Sequence, residues 1–160
     1  MSACLNRKFG LYLTVTVSSV VLSMWMIYID EVINSDGVHY ILTAEYLSEG
    51  MWTEALQTFK WPAYSFLIYL VQLLPFTDFE SAAHIVTTVG FTFSVARFLL
   101  VVNALGANPC TTWLAALVIL SFPGIKKFRA FLVRDPVFLA CIWVLSGFWF
   151  AIRKAKTSHH

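Results

Sequence analysis

Two carboxylates, Asp36 and Asp135, are the groups of this chain whose type and position best suit chemistry. Asp36 stands in Ser35-Asp36-Gly37-Val38-His39-Tyr40, shortly after the first apolar run. Asp135 stands in Val133-Arg134-Asp135-Pro136, at the mouth of the last one, about a hundred residues later. Two acids meeting at one aqueous edge of a membrane can hold a divalent metal ion or take a proton from an acceptor hydroxyl. Four bases, Lys126, Lys127, Arg129 and Arg134, lie just before Asp135. Their charge-assisted hydrogen bonds suit a phosphate, and they equally suit anionic lipid headgroups. The acids also have plainer uses. Asp36 or Ser35 can cap a helix from about Gly37 to Glu49, and Asp135 can open one with Pro136 at its first position.

The elements that must position these groups are apolar. The chain has 160 residues, is 59% apolar and has a mean hydropathy of +0.73. The apolar residues come in long runs, which points to one integral membrane domain over residues 1–160, all-α in class. Eight of the nine acids fall before residue 81, and five of the eleven bases cluster at the two termini. No basic stripe suits a nucleic acid, and none is expected as a partner. Cys4, Cys110 and Cys141 have no metal-ligand spacing and are expected to be free thiols.

Four segments are expected to span: residues 9–29, 82–105, 111–125 and 136–152. The first follows Arg7-Lys8 and has Trp25 and Tyr28 near its far end as interfacial anchors. It reads as an uncleaved signal anchor, because Ile29-Asp30-Glu31-Val32 follows it instead of a small-residue cleavage site. Residues 61–76 are shorter, are broken by Pro62 and Pro75, and are expected to lie at the interface or to re-enter. Basic residues at both ends place both termini in the cytoplasm and require an even number of crossings. Residues 30–80 then form a long outer loop with amphipathic interfacial helices, and residues 126–135 a second outer loop. In the first, Tyr40, Ala44 and Leu47 recur on one helical face, and Gly50 stops the helix. A second helical turn follows at residues 52–59. Arg97, inside a span, is expected to snorkel toward the inner end.

The stretch from Asp36 through Tyr40 and Ala44 to Gly50 and Trp52 resembles the first outer loop of GT-C-type glycosyltransferases, which include the lipid A aminoarabinose transferases and the protein O-mannosyltransferases. Their pattern is an Asp just past the first span, a Tyr four residues on, and an Ala-rich surface helix ending in Gly and an aromatic. Phe59-Lys60-Trp61-Pro62-Ala63-Tyr64 resembles their Lys-Pro-Pro-like entry to a second surface helix, with Trp61 in place of one proline. Phe131-Leu132-Val133-Arg134-Asp135-Pro136 resembles their second outer loop. The ordered set covers most of residues 9–155.

The resemblance implies that Asp36 is the general base toward the acceptor hydroxyl and that Asp135 helps to bind a divalent metal or the donor phosphate region. It implies that Arg134, with Lys126, Lys127 and Arg129, holds the phosphate of a polyprenyl-phosphate sugar, and it groups Tyr40 and Lys60 with the substrate-binding residues. The implied reaction is transfer of one sugar to a lipid, glycan or protein acceptor at the outer face, with a bacterial inner membrane as the expected location. Family members carry many more spans, so a partial or truncated module is expected. The alternative is a non-catalytic membrane scaffold, or a partner of a separate C-terminal half. A small transporter fits less well, because the spans carry almost no polar pairs.

Overall fold

The computed structural model describes residues 2–30, 33–122, 129, 131–139, 141 and 142, and among these the chain is helical with no strand. Helix α1 (Ser2–Ile29) and helix α5 (Phe79–Ala104) are long and apolar enough to cross a membrane. They pack antiparallel. Asn103 Nδ2 donates to the Tyr12 hydroxyl at 2.9 Å, and Thr92 Oγ1 donates to Ser19 Oγ at 3.3 Å. Leu11 and Val15 cluster with Val95 and Leu99, and Ala116 of α6 joins them. Asp78 fixes the start of α5 by accepting from the Ser81 N–H at 2.7 Å.

Helix α6 (Pro109–Ser121) starts with Asn108 accepting from the Thr111 N–H at 2.8 Å and with proline in its first turn. Its 13 residues cover about 20 Å, short of a roughly 30 Å bilayer core. Of the four expected spans, then, two helices have the full length and the third is shorter. The fourth begins as a helical stretch at residues 135–139, and most of it lies outside the described residues. Arg97 is partly buried, with its guanidinium 5.0 Å from the Phe93 ring centre.

The long first loop folds into helices α2 (Ser35–Ser48), α3 (Trp52–Thr58) and α4 (Ala63–Gln72). Tyr40, Ala44 and Leu47 are buried on one face of α2, the stripe that the spacing predicts. Gly50 ends the helix region with φ +76°, a backbone state that costs glycine little. The start of α2 departs from expectation. The helix begins at Ser35 behind Asn34, and the Asn34 side chain makes no cap bond. Asp36 is therefore in the first turn and is not the cap.

Residues 61–76 yield only the ten-residue α4, joined to α5 by a turn. The two helices form a hairpin. Tyr64, near the start of α4, reaches the Ala83 carbonyl at 3.4 Å and the Thr87 hydroxyl at 2.7 Å. Tyr64, Ile68, Ala82, Ala83 and Val86 share one core cluster with Tyr40, Ala44 and Leu132. The exposed face of α4 is wholly apolar: Ala63, Phe66, Leu67 and Leu70. On α2 the exposed residues are mixed: Ser35, Asp36, His39 and Ser48 beside Val38 and Leu42. The first surface suits acyl chains, and the second, part polar and part apolar, suits an interface between lipid and water.

Candidate functional site

The two loops that carry the acids are joined by a side chain that clasps a peptide. Asn34 Oδ1 accepts from the Leu132 N–H at 3.0 Å, and Asn34 Nδ2 donates to the Leu132 carbonyl at 3.2 Å. An amide side chain can pair in this two-way fashion with one residue's backbone because it carries both a donor and an acceptor. Leu132 is fully buried in the cluster with Tyr40 and Tyr64. Gly37 makes the close approach possible: a Cβ there would lie 2.8 Å from Leu132 Cβ and 2.8 Å from Asn34 Oδ1. Gly37→Ala is accordingly expected to destabilise the fold by about 1–3 kcal/mol through overpacking, read as a lower melting temperature in detergent. An unchanged melting temperature would show that the two loops are not in this contact.

Beyond Leu132, the chain is held against α5. Ser94 Oγ donates to the Pro136 carbonyl at 2.9 Å. A Cβ on Gly90 would lie 3.1 Å from Val137 Cγ2, so the helix that opens at Asp135 passes close to the α5 backbone. Val137 and Phe138 N–H groups both donate to the Arg134 carbonyl, at 3.1 and 3.0 Å. Asp135 thus sits in a first helical turn, where a negative charge meets the positive end of the helix dipole.

Tyr40 stands at the centre of the arrangement. Its ring meets Phe59 and Tyr64 edge-on, each at a centroid distance of 4.9 Å. Burial raises the Tyr40 phenol above its ordinary value; Arg134 acts in the opposite sense, and Asp36 and Asp135 raise it further. The hydroxyl therefore keeps its proton at neutral pH, and the charges of Asp36, Arg134 and Asp135 all act on it. Arg134 lies over the Phe59 ring, 6.0 Å from its centre. Asp36, Arg134 and Asp135 are exposed, while Tyr40 forms the buried floor.

Other residues expected at the site are placed differently. Lys60 is exposed in the bend between α3 and α4. Arg129 turns away to α1: its Nη1 donates to the Ser19 carbonyl at 2.9 Å, to Ser19 Oγ at 3.1 Å and to Ser23 Oγ at 2.8 Å. Phe91 lies 5.2 Å from its guanidinium. Arg129 is fully buried, and among the described residues its Nε and Nη2 have no hydrogen-bond partner. Its expected place in a phosphate cluster with Arg134 gives way to anchorage on α1, where serine hydroxyls and a carbonyl solvate the charge. Lys126 and Lys127 lie outside the described residues.

Asn34, Phe59 and Ser94 were not legible as site residues. A lone Asn before a helix reads as a cap, and nothing local marks a partner about a hundred residues away. Among the described residues, no group of three or more His, Cys, Asp or Glu side chains could hold a metal ion. Comparison with known proteins adds no relative: no family model, no curated protein and no solved structure matches the chain.

Proposed function

We propose that this chain is a GT-C-type glycosyl-transfer module that moves a sugar from a polyprenyl-phosphate donor to a hydroxyl acceptor. The observation that carries the reading is the Asn34–Leu132 clasp, which joins the loops that bear Asp36 and Asp135, with Arg134 over Phe59 and the charges of all three acting on Tyr40. An exposed carboxylate and an exposed guanidinium on the two joined loops supply a base and a phosphate ligand to one region. Asp36 takes the acceptor proton, for which it must approach to about 2.6–3.2 Å. Arg134 holds the donor phosphate, and its packing on Phe59 limits the positions it can take.

A divalent metal would have to be shared between this chain and its substrate, because among the described residues no group of three or more His, Cys, Asp or Glu could hold one. Two carboxylates suffice for a magnesium-like ion when substrate phosphate and water complete its shell. Such an ion would supply charge neutralisation at the phosphate, and Asp135 is the residue to hold it, with Asp36 as the second candidate.

The test is a transfer assay on the purified chain in lipid, alone and with any separate C-terminal half, using a polyprenyl-phosphate sugar donor. Arg134→Ala is expected to raise the donor KM by roughly 10- to 100-fold, the loss of one charged hydrogen-bonding group worth about 1.5–3 kcal/mol. A KM unchanged in Arg134→Ala would remove the phosphate assignment. The second reading, a non-catalytic membrane module, draws on the Asn34–Leu132 clasp, which binds the two loops together whether or not they catalyse. It predicts no turnover under any pairing.

A further inference from the structure

We infer that the exposed stripe of α4 and the turn after it form a lipid contact confined to one leaflet. The helix lies in the bilayer interface at the end of the α1–α5 pair where α1 stops, with its apolar side against acyl chains and both of its ends in water. The inference needs only packing and exposure and stands apart from the sugar-transfer reading.

The stripe is continuous. Trp61, Phe66, Leu67, Leu70, Leu73 and Leu74 are exposed, and from Phe66 onward they recur at the three- and four-residue spacing of one helical face. The opposite face is taken up by protein: Tyr64, Ser65 and Ile68 are buried. Past the helix, Phe76 is fully exposed with φ +65°, a left-handed conformation that disfavours a bulky side chain. The turn thus accepts strain while it holds an aromatic ring outward. A contiguous apolar surface of this kind marks a contact with something other than water.

Its position decides what that contact is. Ser19 of α1 and Thr92 of α5 are hydrogen-bonded across the antiparallel pair. Ten residues outward from that bond stand Ile29 on α1 and Ala82 on α5. The apolar run of α1 ends at Ile29, and Asp30 follows. Ala82 shares a core cluster with Tyr64 and Ile68 of α4. Helix α4 therefore packs at the level where the first span meets water, within about a turn of the exposed aromatic anchors Trp25 and Tyr28. The polar residues agree with this level. Lys60 is exposed just before α4, Asp78 and Glu80 just after it, and Glu54 and Gln57 on α3. Ten residues give α4 a length of about 15 Å, half of a roughly 30 Å core, and water at both ends keeps it from standing upright in that core. A helix with one apolar side and polar flanks settles about 5–10 Å into the boundary of headgroups and acyl chains. Tyr64 carries the consequence inward. Its ring meets Tyr40 and its hydroxyl meets Thr87, so the lipid contact of α4 seats the floor of the candidate site against the bilayer surface.

Spin-label accessibility in lipid nanodiscs tests this on the full chain with Cys4, Cys110 and Cys141 replaced by serine. Single nitroxides are attached through Phe66→Cys and Leu70→Cys on the stripe, and through Glu49→Cys and Gln57→Cys at exposed polar positions. Val17→Cys, exposed on α1 about 18 Å inside Ile29, serves as the reference for the core. The two relaxing probes are oxygen, which concentrates among acyl chains, and a neutral nickel chelate, which stays in water. The oxygen-to-nickel ratio at Phe66 and Leu70 is expected to exceed that at Glu49 and Gln57 by at least about threefold and to stay below that at Val17. Ratios on the stripe equal to those at Glu49 and Gln57 would overturn the inference, because α4 would stand in water. Ratios equal to that at Val17 would also overturn it, because α4 would then enter the core. Leu70, at the centre of the stripe, decides the matter if the two stripe positions differ.

Discussion

Asp36→Asn is expected to lower sugar transfer by about 100- to 10,000-fold, the usual contribution of a positioned general base. Asn keeps the shape of Asp but cannot accept a proton at neutral pH. The fold gives this substitution little else to disturb. The N-cap position of α2 belongs to Asn34, so the helix does not depend on Asp36 to begin. Asp36 lies in the first turn, exposed, where its charge contributes about 0.3–1 kcal/mol with the helix dipole. A small drop in melting temperature with a large drop in turnover is therefore the expected pair of results. Turnover close to normal, measured with whatever partner half the wild type needs, would end the general-base assignment.

The second large effect is structural and sits two residues earlier. Asn34→Ala removes both partners of the Leu132 peptide, whose side chain is fully buried. Each buried polar group left without a partner costs about 1–3 kcal/mol. No replacement is at hand within the loop, because Gly37 and Leu132 are already in tight contact. The chain between α1 and α5 and the chain around Asp135 should then separate, and with them Asp36 and Asp135. Asn34→Asp should fare no better, since a carboxylate accepts from the Leu132 N–H but sets its other oxygen against the Leu132 carbonyl. Spin labels at Val38 and Val133 report the separation, and thermal unfolding reports the stability. If Asn34→Ala keeps both the wild-type label distance and the wild-type melting temperature, the clasp does not hold the loops together.

Periodicity and punctuation determined the local elements. The apolar runs at residues 9–29 and 82–105 give helices α1 and α5, both long enough to cross a bilayer. Tyr40, Ala44 and Leu47 recur at helical spacing and form the buried stripe of α2, and Gly50 ends it in a left-handed conformation. These signals are local: hydrophobic period, a backbone breaker and run length act within one or two turns. The tertiary structure decided everything that depends on a distant partner. It gave Asn34 to Leu132 instead of to the α2 N-terminus, and it put α4 beside the first turns of α5 as a short hairpin arm. It also separated two arginines that look alike in sequence. Arg129 is solvated by Ser19 and Ser23 of α1, while Arg134 stays exposed beside Tyr40. Nothing in the neighbours of either arginine distinguishes them. The difference comes from which side chain meets a set of oxygens about a hundred residues away, and only packed helices establish that.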